Sequence, residues 1–184
     1  IDGLLRELAE GGEVRAFADD LILWKRGYRK EAEKDLQGRI DLADSWSKRW
    51  RMPFNVGKCE LITVTRRRKL EEVEITLGGV KIPRVTRIKY LGVVLASNGS
   101  WGPQVRRMME SGNRWLYSLR AWSGGKTALH PNLWRRLING CLLPKMFYAL
   151  ESWGEAEEVD SWGKELDSVL AKGIRWQEGL WRTT

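Results

Sequence analysis

The hydrophobic pattern is mixed up to Asn98-Gly99 and wholly helical after it, and that change constrains the architecture more than any other feature. Before it, helical and strand-like spacings alternate. Leu4, Leu5 and Leu8 sit at helical spacing and stop at the helix-ending pair Gly11-Gly12. Val14 to Ala18 alternates, Asp19-Asp20 interrupts, and Leu21 to Trp24 is an apolar run, which predicts a hairpin with two acids at its turn. From Glu31 to Trp50, Ala32, Leu36, Ile40, Ala43, Trp46 and Trp50 recur every three or four residues, so an amphipathic helix should end before Pro53. Strands are expected over 60–65, over 73–77 turning at Gly78-Gly79 into 80–82, and over 88–95. After Asn98-Gly99 every pattern is helical: Val105 to Trp122, stopped by Ser123-Gly124-Gly125, and then a helix opened by His130-Pro131 that runs through Trp134 and Cys141. Pro144 should break or kink that helix before a third stretch over 146–153, and a last amphipathic helix covers 155–176. The expected fold class is α+β with an all-helical second part. The boundary between subdomains is expected near residues 97 to 101.

A chain of 184 residues with 42% hydrophobic residues and 11 Trp can bury a core, which excludes a disordered basic tail. Cys59 and Cys141 lie far apart, with no second Cys or His at ligand spacing, so neither a disulfide framework nor a structural zinc site is expected. No apolar run approaches the roughly 20 residues a spanning helix needs. The expectation is a soluble intracellular chain, nuclear or cytoplasmic, with no membrane partner. Because it begins at Ile1 without Met, it reads as a piece of something longer.

The net charge of +8 is unevenly placed. Residues 1–47 balance to −3 (8 basic, 11 acidic) and 151–184 to −4 (4 basic, 8 acidic), whereas 48–100 reach +8 (12 basic, 4 acidic) and 101–150 reach +7 (8 basic, 1 acidic). A basic block interleaved with aromatics such as Trp50, Tyr90, Trp101, Trp115 and Trp134 suits a surface that tracks phosphates, although a solvated basic face over a Trp-rich core has the same composition. Trp115, Trp122 and Trp134 fall on apolar helical faces and are expected in the core. His130 reads as a helix-start residue, and Arg66-Arg67-Arg68-Lys69 as a targeting or nucleic-acid patch or a solvated loop.

The sharpest local feature is Ala16-Phe17-Ala18-Asp19-Asp20-Leu21-Ile22-Leu23. Adjacent carboxylates between apolar strand residues repel one another and are costly to desolvate unless a counter-charge or metal joins them. Hard divalent cations take carboxylate oxygens together with water and substrate phosphates. An ordinary Asp-Asp turn, stabilised by side-chain to backbone hydrogen bonds, accounts for the same residues.

The aromatic-Ala-Asp-Asp hairpin resembles the catalytic hairpin of reverse transcriptases, most closely those of non-LTR (LINE-type) retrotransposons. The order of the later motifs is similar too. Phe54-Asn55-Val56-Gly57-Lys58-Cys59-Glu60 followed by Leu61 to Thr65 looks like the family's Asn and Lys segment before a strand. Ile88-Lys89-Tyr90-Leu91-Gly92-Val93-Val94-Leu95 looks like its Tyr-Leu-Gly strand, and Arg136 to Pro144, running on to Tyr148 to Trp153, resembles the Pro-containing thumb helix pair. Gly173 to Thr184 resembles the segment beyond the thumb.

The resemblance implies a partial polymerase palm over 1–98, a helical thumb over 99–154 and a further helical segment over 155–184. It implies two Mg2+ ions, with Asp19 as essential and Asp20 as auxiliary ligand, and Lys58 as the group that protonates or neutralises the leaving pyrophosphate. Lys58 as a solvated loop lysine is the alternative. Tyr90, Leu91 and Gly92 match a primer-gripping strand, or in Tyr90's case plain strand surface. Arg106, Arg107, Arg114, Arg120, Lys126, Arg135 and Arg136 are expected against phosphates of a duplex. The implied partners are an RNA template, a DNA primer and deoxynucleoside triphosphates. The family's other metal-binding aspartate and its fingers do not precede Asp19 here, and Asp2 has no strand pattern around it, so this stretch alone is expected to be inactive. A non-catalytic nucleic-acid-binding or scaffold module derived from such an enzyme, within a ribonucleoprotein, is the alternative.

Overall fold

The computed structural model describes residues 2–9, 13–65, 73–123, 129–154 and 159–177. It is a mixed α/β chain that divides into two compact units, residues 1–86 and 87–184. The expected stops at Gly11-Gly12 and Gly124-Gly125, the run Arg66 to Lys69, Lys126 and the segment 178–184 lie outside the described residues.

In the first unit, α1 (Asp2–Ala9) precedes an antiparallel hairpin of β1 (Glu13–Phe17) and β2 (Asp20–Trp24), followed by α2 (Arg29–Trp50). Helix α2 ends where Arg51 adopts a left-handed φ of 54°, with the amides of Arg51 and Met52 donating back to the carbonyls of Lys48 and Ser47. That paired closure satisfies carbonyls the helix leaves open, and Pro53 follows as a stop. The apolar spacing of α2 is used twice. Ala43 and Trp46 join Leu4, Leu8 and Val14 in one core, with Leu21 and Leu23 of β2 packed against it. Leu36 and Ile40 instead pack against Ile75, Leu77 and Ile82. Leu8, at 0% exposure, stabilises this arrangement by about 2 kcal/mol on area grounds.

The strand expected over 60–65 does not form. Leu61 makes a single parallel bridge to Arg84, and the chain around it is irregular. The next hairpin is short, β3 (Thr76–Leu77) with β4 (Val80–Lys81) across Gly78-Gly79, and Ile82 N adds a further bond to Ile75 O. The edge of β3 is met by a side chain in place of a strand. The Gln37 amide donates to Thr76 O at 3.0 Å and accepts from Thr76 N at 2.9 Å.

The second unit opens with a hairpin of β5 (Arg87–Tyr90) and β6 (Val93–Ala96), then α3 (Gly102–Trp122). The expectation of one strand over 88–95 is corrected: Leu91 and Gly92, at φ 44° and 85°, reverse the chain there. Positive φ at both loop positions is the pattern of one favoured two-residue hairpin turn, and the Gly supplies one of them without strain. The division between units also falls ten or more residues earlier than the period change suggests. Gln104 of α3, fully buried, accepts from Val94 N at 2.9 Å, so the hairpin packs with the helices that follow it.

Helix α4 (Pro131–Leu137) passes through a π-helical stretch, Ile138–Leu142, into α5 (Leu143–Met146), so Pro144, which has no N–H to give, sits directly after the widened turn. His130 caps α4, its Nδ1 accepting from Asn132 N at 3.3 Å, as its position predicts. The helix expected over 146–153 is interrupted: Ala149 has a φ of 55°, and only α6 (Leu150–Trp153) follows before α7 (Val159–Gln177). Val105, Met108, Leu116, Trp134, Leu142, Met146, Trp153, Leu166 and Val169 form the core. At Gly112 a Cβ would lie 3.0 Å from Met146 Sδ and 3.2 Å from Val169, so the missing side chain admits both. Trp134 is buried and Trp115 packs against this core, whereas Trp122, at 77% exposure, does not belong to it. Trp122 is the last residue of α3, beyond Leu119, which still packs against this core.

Candidate functional site

The β1–β2 hairpin is built to expose its tip. Phe17 pairs with Asp20, which leaves Ala18 and Asp19 as a two-residue loop. Ala18 takes a φ of 54°, a conformation favouring glycine and costing a side chain about 1 kcal/mol. Asp19 therefore stands in the loop and Asp20 opens β2, both exposed. Strand alternation sends Val14, Leu21 and Leu23 into the core and puts Asp20 on the other face with Arg15, Phe17, Ile22 and Trp24. The Arg15 guanidinium lies 5.7 Å from the Trp24 ring centroid, and Phe17 is 63% exposed. The outer face thus carries apolar side chains and Arg15, with Glu13 at its base and Asp20 at its tip.

The base of the same hairpin is held by a residue that belongs to no sequence motif. Arg39 of α2 is 5% exposed and donates to Leu8 O at 3.0 Å, Glu13 O at 3.0 Å and Trp24 O at 3.3 Å. One guanidinium thereby joins the end of α1, the first residue of β1 and the last of β2. Burial lowers its pKa, and Asp35, 3.9 Å away, opposes that shift. Asp35 is also paired to Lys25 at 3.3 Å. The available signal was positional: residue 39 lies between Leu36 and Ala43 on the inward face of α2, where a charged side chain needs partners.

Two adjacent carboxylates offer a divalent cation part of the hard oxygen shell it requires. Among the described residues no group of three or more metal-ligating side chains comes together, so the tip fits such an ion in donor type and leaves its shell incomplete. Lys58 is exposed at the end of a 3-10 turn, Val56–Lys58, whose neighbours Phe54, Val56, Cys59 and Leu61 pack on the second core of the first unit. Burial raises the pKa of the Cys59 thiol beside it, and that thiol donates to Asn55 O at 3.5 Å.

Tyr90, Leu91 and Gly92 come together at the β5–β6 turn, joined by Arg107 and Tyr148. Arg107 donates to the Gly92 carbonyl, so this guanidinium is engaged inside the protein. Tyr148 Oη donates to Leu91 O at 2.9 Å. The remaining arginines are spread. Arg106 and Arg114 are exposed on α3 with Glu110 one turn from each, and Arg135 and Arg136 are exposed on the last turn of α4. Arg120 lies 5.4 Å from the Trp176 ring, which itself meets Tyr117 edge-on at 5.3 Å, while Lys172 covers Tyr117 at 5.4 Å. Arg120 thus also serves the seam between α3 and α7.

No described helix is long and apolar enough to cross a membrane. No protein-family model matches the chain, and no solved structure matches it. Curated proteins do. It is similar to the RNA-directed DNA polymerase from mobile element jockey of Drosophila funebris, 26% identical over 151 residues, which are 81% of the chain and 16% of that protein. The probable RNA-directed DNA polymerase from transposon BS of Drosophila melanogaster is 27% identical over 146 residues, 78% of the chain and 16% of the relative. The retrovirus-related Pol polyprotein from type-1 retrotransposable element R2 of Popillia japonica is 28% identical over 156 residues, 76% of the chain and 22% of the relative. The chain therefore resembles non-LTR retrotransposon polymerases across most of its length and spans about a fifth or less of these relatives.

Proposed function

We propose that this chain is the part of a non-LTR RNA-directed DNA polymerase that carries the paired carboxylates of the palm (residues 1–98), the thumb (99–154) and the helical segment after it (155–184). The observation that supports this most is the β1–β2 hairpin: a two-residue loop puts Asp19 and Asp20 at the tip of an antiparallel ribbon, in a chain similar to such polymerases over about four-fifths of its length.

In this reading Asp19 and Asp20 supply oxygen ligands to Mg2+, and a further aspartate from outside this stretch completes the set. The metal, when bound, lowers the charge on the reacting phosphates and favours ionisation of the primer 3′-hydroxyl. Lys58 brings positive charge, and a proton if one is needed, to the pyrophosphate as it leaves, which is the kind of electrostatic help phosphoryl transfer responds to. The β5–β6 turn contacts the primer, and Arg106, Arg114, Arg135, Arg136 and Lys126 contact backbone phosphates without reading sequence. The substrates are an RNA template, a DNA primer and deoxynucleoside triphosphates. The 184-residue chain alone does not polymerise, because two carboxylates do not complete a two-metal site.

The test is magnesium-dependent primer extension by a full-length polymerase that contains this chain together with fingers and the further aspartate. Asp19→Ala should abolish extension, and undiminished extension would remove the assignment. One observation favours a second reading: residues 101–150 carry 8 basic side chains against 1 acidic, a balance that suits phosphate binding without any use of the acids. A non-catalytic nucleic-acid module would bind duplex through its basic helices equally well with Asp19→Ala and Asp20→Ala, and no polypeptide containing it would extend a primer.

A further inference from the structure

The β5–β6 turn carries more fixing contacts than its folding requires. A two-residue loop with positive φ at both positions closes a hairpin unaided when Gly occupies one of them, and Gly92 does so here. Yet groups from outside the hairpin close on it. Arg107 of α3 donates to the Gly92 carbonyl, and Tyr148, in the link between α5 and α6, donates its hydroxyl to the Leu91 carbonyl. The Tyr148 ring comes so near that a Cβ at position 92 would lie 2.9 Å from its Cε1. Tyr148 is fixed in turn, because Trp153, 1% exposed, donates its indole N–H to the Tyr148 carbonyl at 3.0 Å. Both turn carbonyls are taken by side chains, and the Leu91 side chain, 39% exposed, remains to face outward.

Water could satisfy two carbonyls at an exposed turn, so these contacts add position more than they add folding energy. Ordering a binding loop beforehand strengthens binding by removing a cost otherwise met on association. We propose that Tyr148 and Arg107 are positioning residues that hold the Leu91-Gly92 turn for contact with nucleic acid. The proposal rests on the polymerase reading above and refines it: Arg107 acts through the Gly92 carbonyl and not through a phosphate.

The experiment is fluorescence anisotropy of the 184-residue chain with a labelled DNA primer annealed to an RNA template, across a salt series, with circular dichroism of each variant. Tyr148→Phe keeps the ring and loses one hydrogen bond, and Arg107→Gln loses the other. Each should weaken binding roughly threefold to tenfold at fixed salt. The slope of log affinity against log salt should stay at the wild-type value, because no phosphate contact is lost. Arg106→Gln is the contrast, with an expected fall of about one in that slope. A fall of about one for Arg107→Gln, or wild-type affinity for Tyr148→Phe, overturns the positioning role and leaves the polymerase reading standing. Wild-type chain that does not bind the hybrid at all overturns the nucleic-acid reading and the proposal together.

Discussion

The hairpins β1–β2 and β5–β6 have the same two-residue loop length and are held at opposite ends. In β1–β2 the buried Arg39 joins the strand ends to α1, while the tip, Ala18-Asp19, has a side chain in a left-handed conformation and stands exposed. In β5–β6 the tip is the fixed end, with Arg107 and Tyr148 bonded to its carbonyls and Gly92 where only hydrogen fits. On the proposed reading, a tip that offers carboxylates to a hard cation gains from access on several sides, and a tip that presses on a large ligand gains from being held. The difference shows which end of each ribbon the fold invests in.

The largest expected effect breaks the base of β1–β2. Arg39→Met leaves the carbonyls of Leu8, Glu13 and Trp24 without their donor and should cost about 3 to 5 kcal/mol in urea denaturation of the chain. A loss under about 1 kcal/mol would mean that the core residues hold the ribbon without it. Next come the two tips, where a substitution of opposite sense should have opposite sign. Gly92→Ala adds a Cβ both at a φ of 85° and against Tyr148, and a loss of about 1 to 3 kcal/mol is expected. Ala18→Gly relieves a left-handed side chain, so stability should stay level or rise by up to about 1 kcal/mol. Equal effects at both tips would erase the contrast.

The smallest effect compares one cysteine from each unit. Cys59 is half-buried with its thiol pKa raised by burial, and Cys141 is exposed. At mildly alkaline pH Cys141 should take up a maleimide first, by mass spectrometry of the partly labelled chain. The folded form holds the Cys59 proton more tightly than the unfolded form. Its contribution is therefore complete below the unfolded thiol pKa and fades as pH rises through the folded value. Faster labelling of Cys59 would show that the first unit opens locally at this turn.

The hairpin of Asp19 and Asp20 was legible because an interrupted apolar alternation is a strong short-range signal, and α2 and α3 because their apolar stripes run for more than five turns. The strand expected over 60–65 failed because alternation states a preference, while a strand needs a neighbour, and only Leu61 finds one. Tyr90-Leu91-Gly92 read as strand because Leu at positive φ is rare, and the compensation comes from Arg107 and Tyr148, which lie 16 and 57 residues from Leu91 in the chain. The inward arginine was hidden for a related reason. Its three acceptors are backbone carbonyls, which carry no sequence signature.

The central claim is that the open tip of β1–β2 supports metal-assisted nucleotide addition, and primer extension with Asp19→Ala tests it most directly. Performed on a full-length polymerase that contains this chain, with Mg2+, an RNA template and a DNA primer, it should show extension by the unaltered protein and none by the variant, with hybrid binding unchanged. Extension that persists in Asp19→Ala would contradict the account.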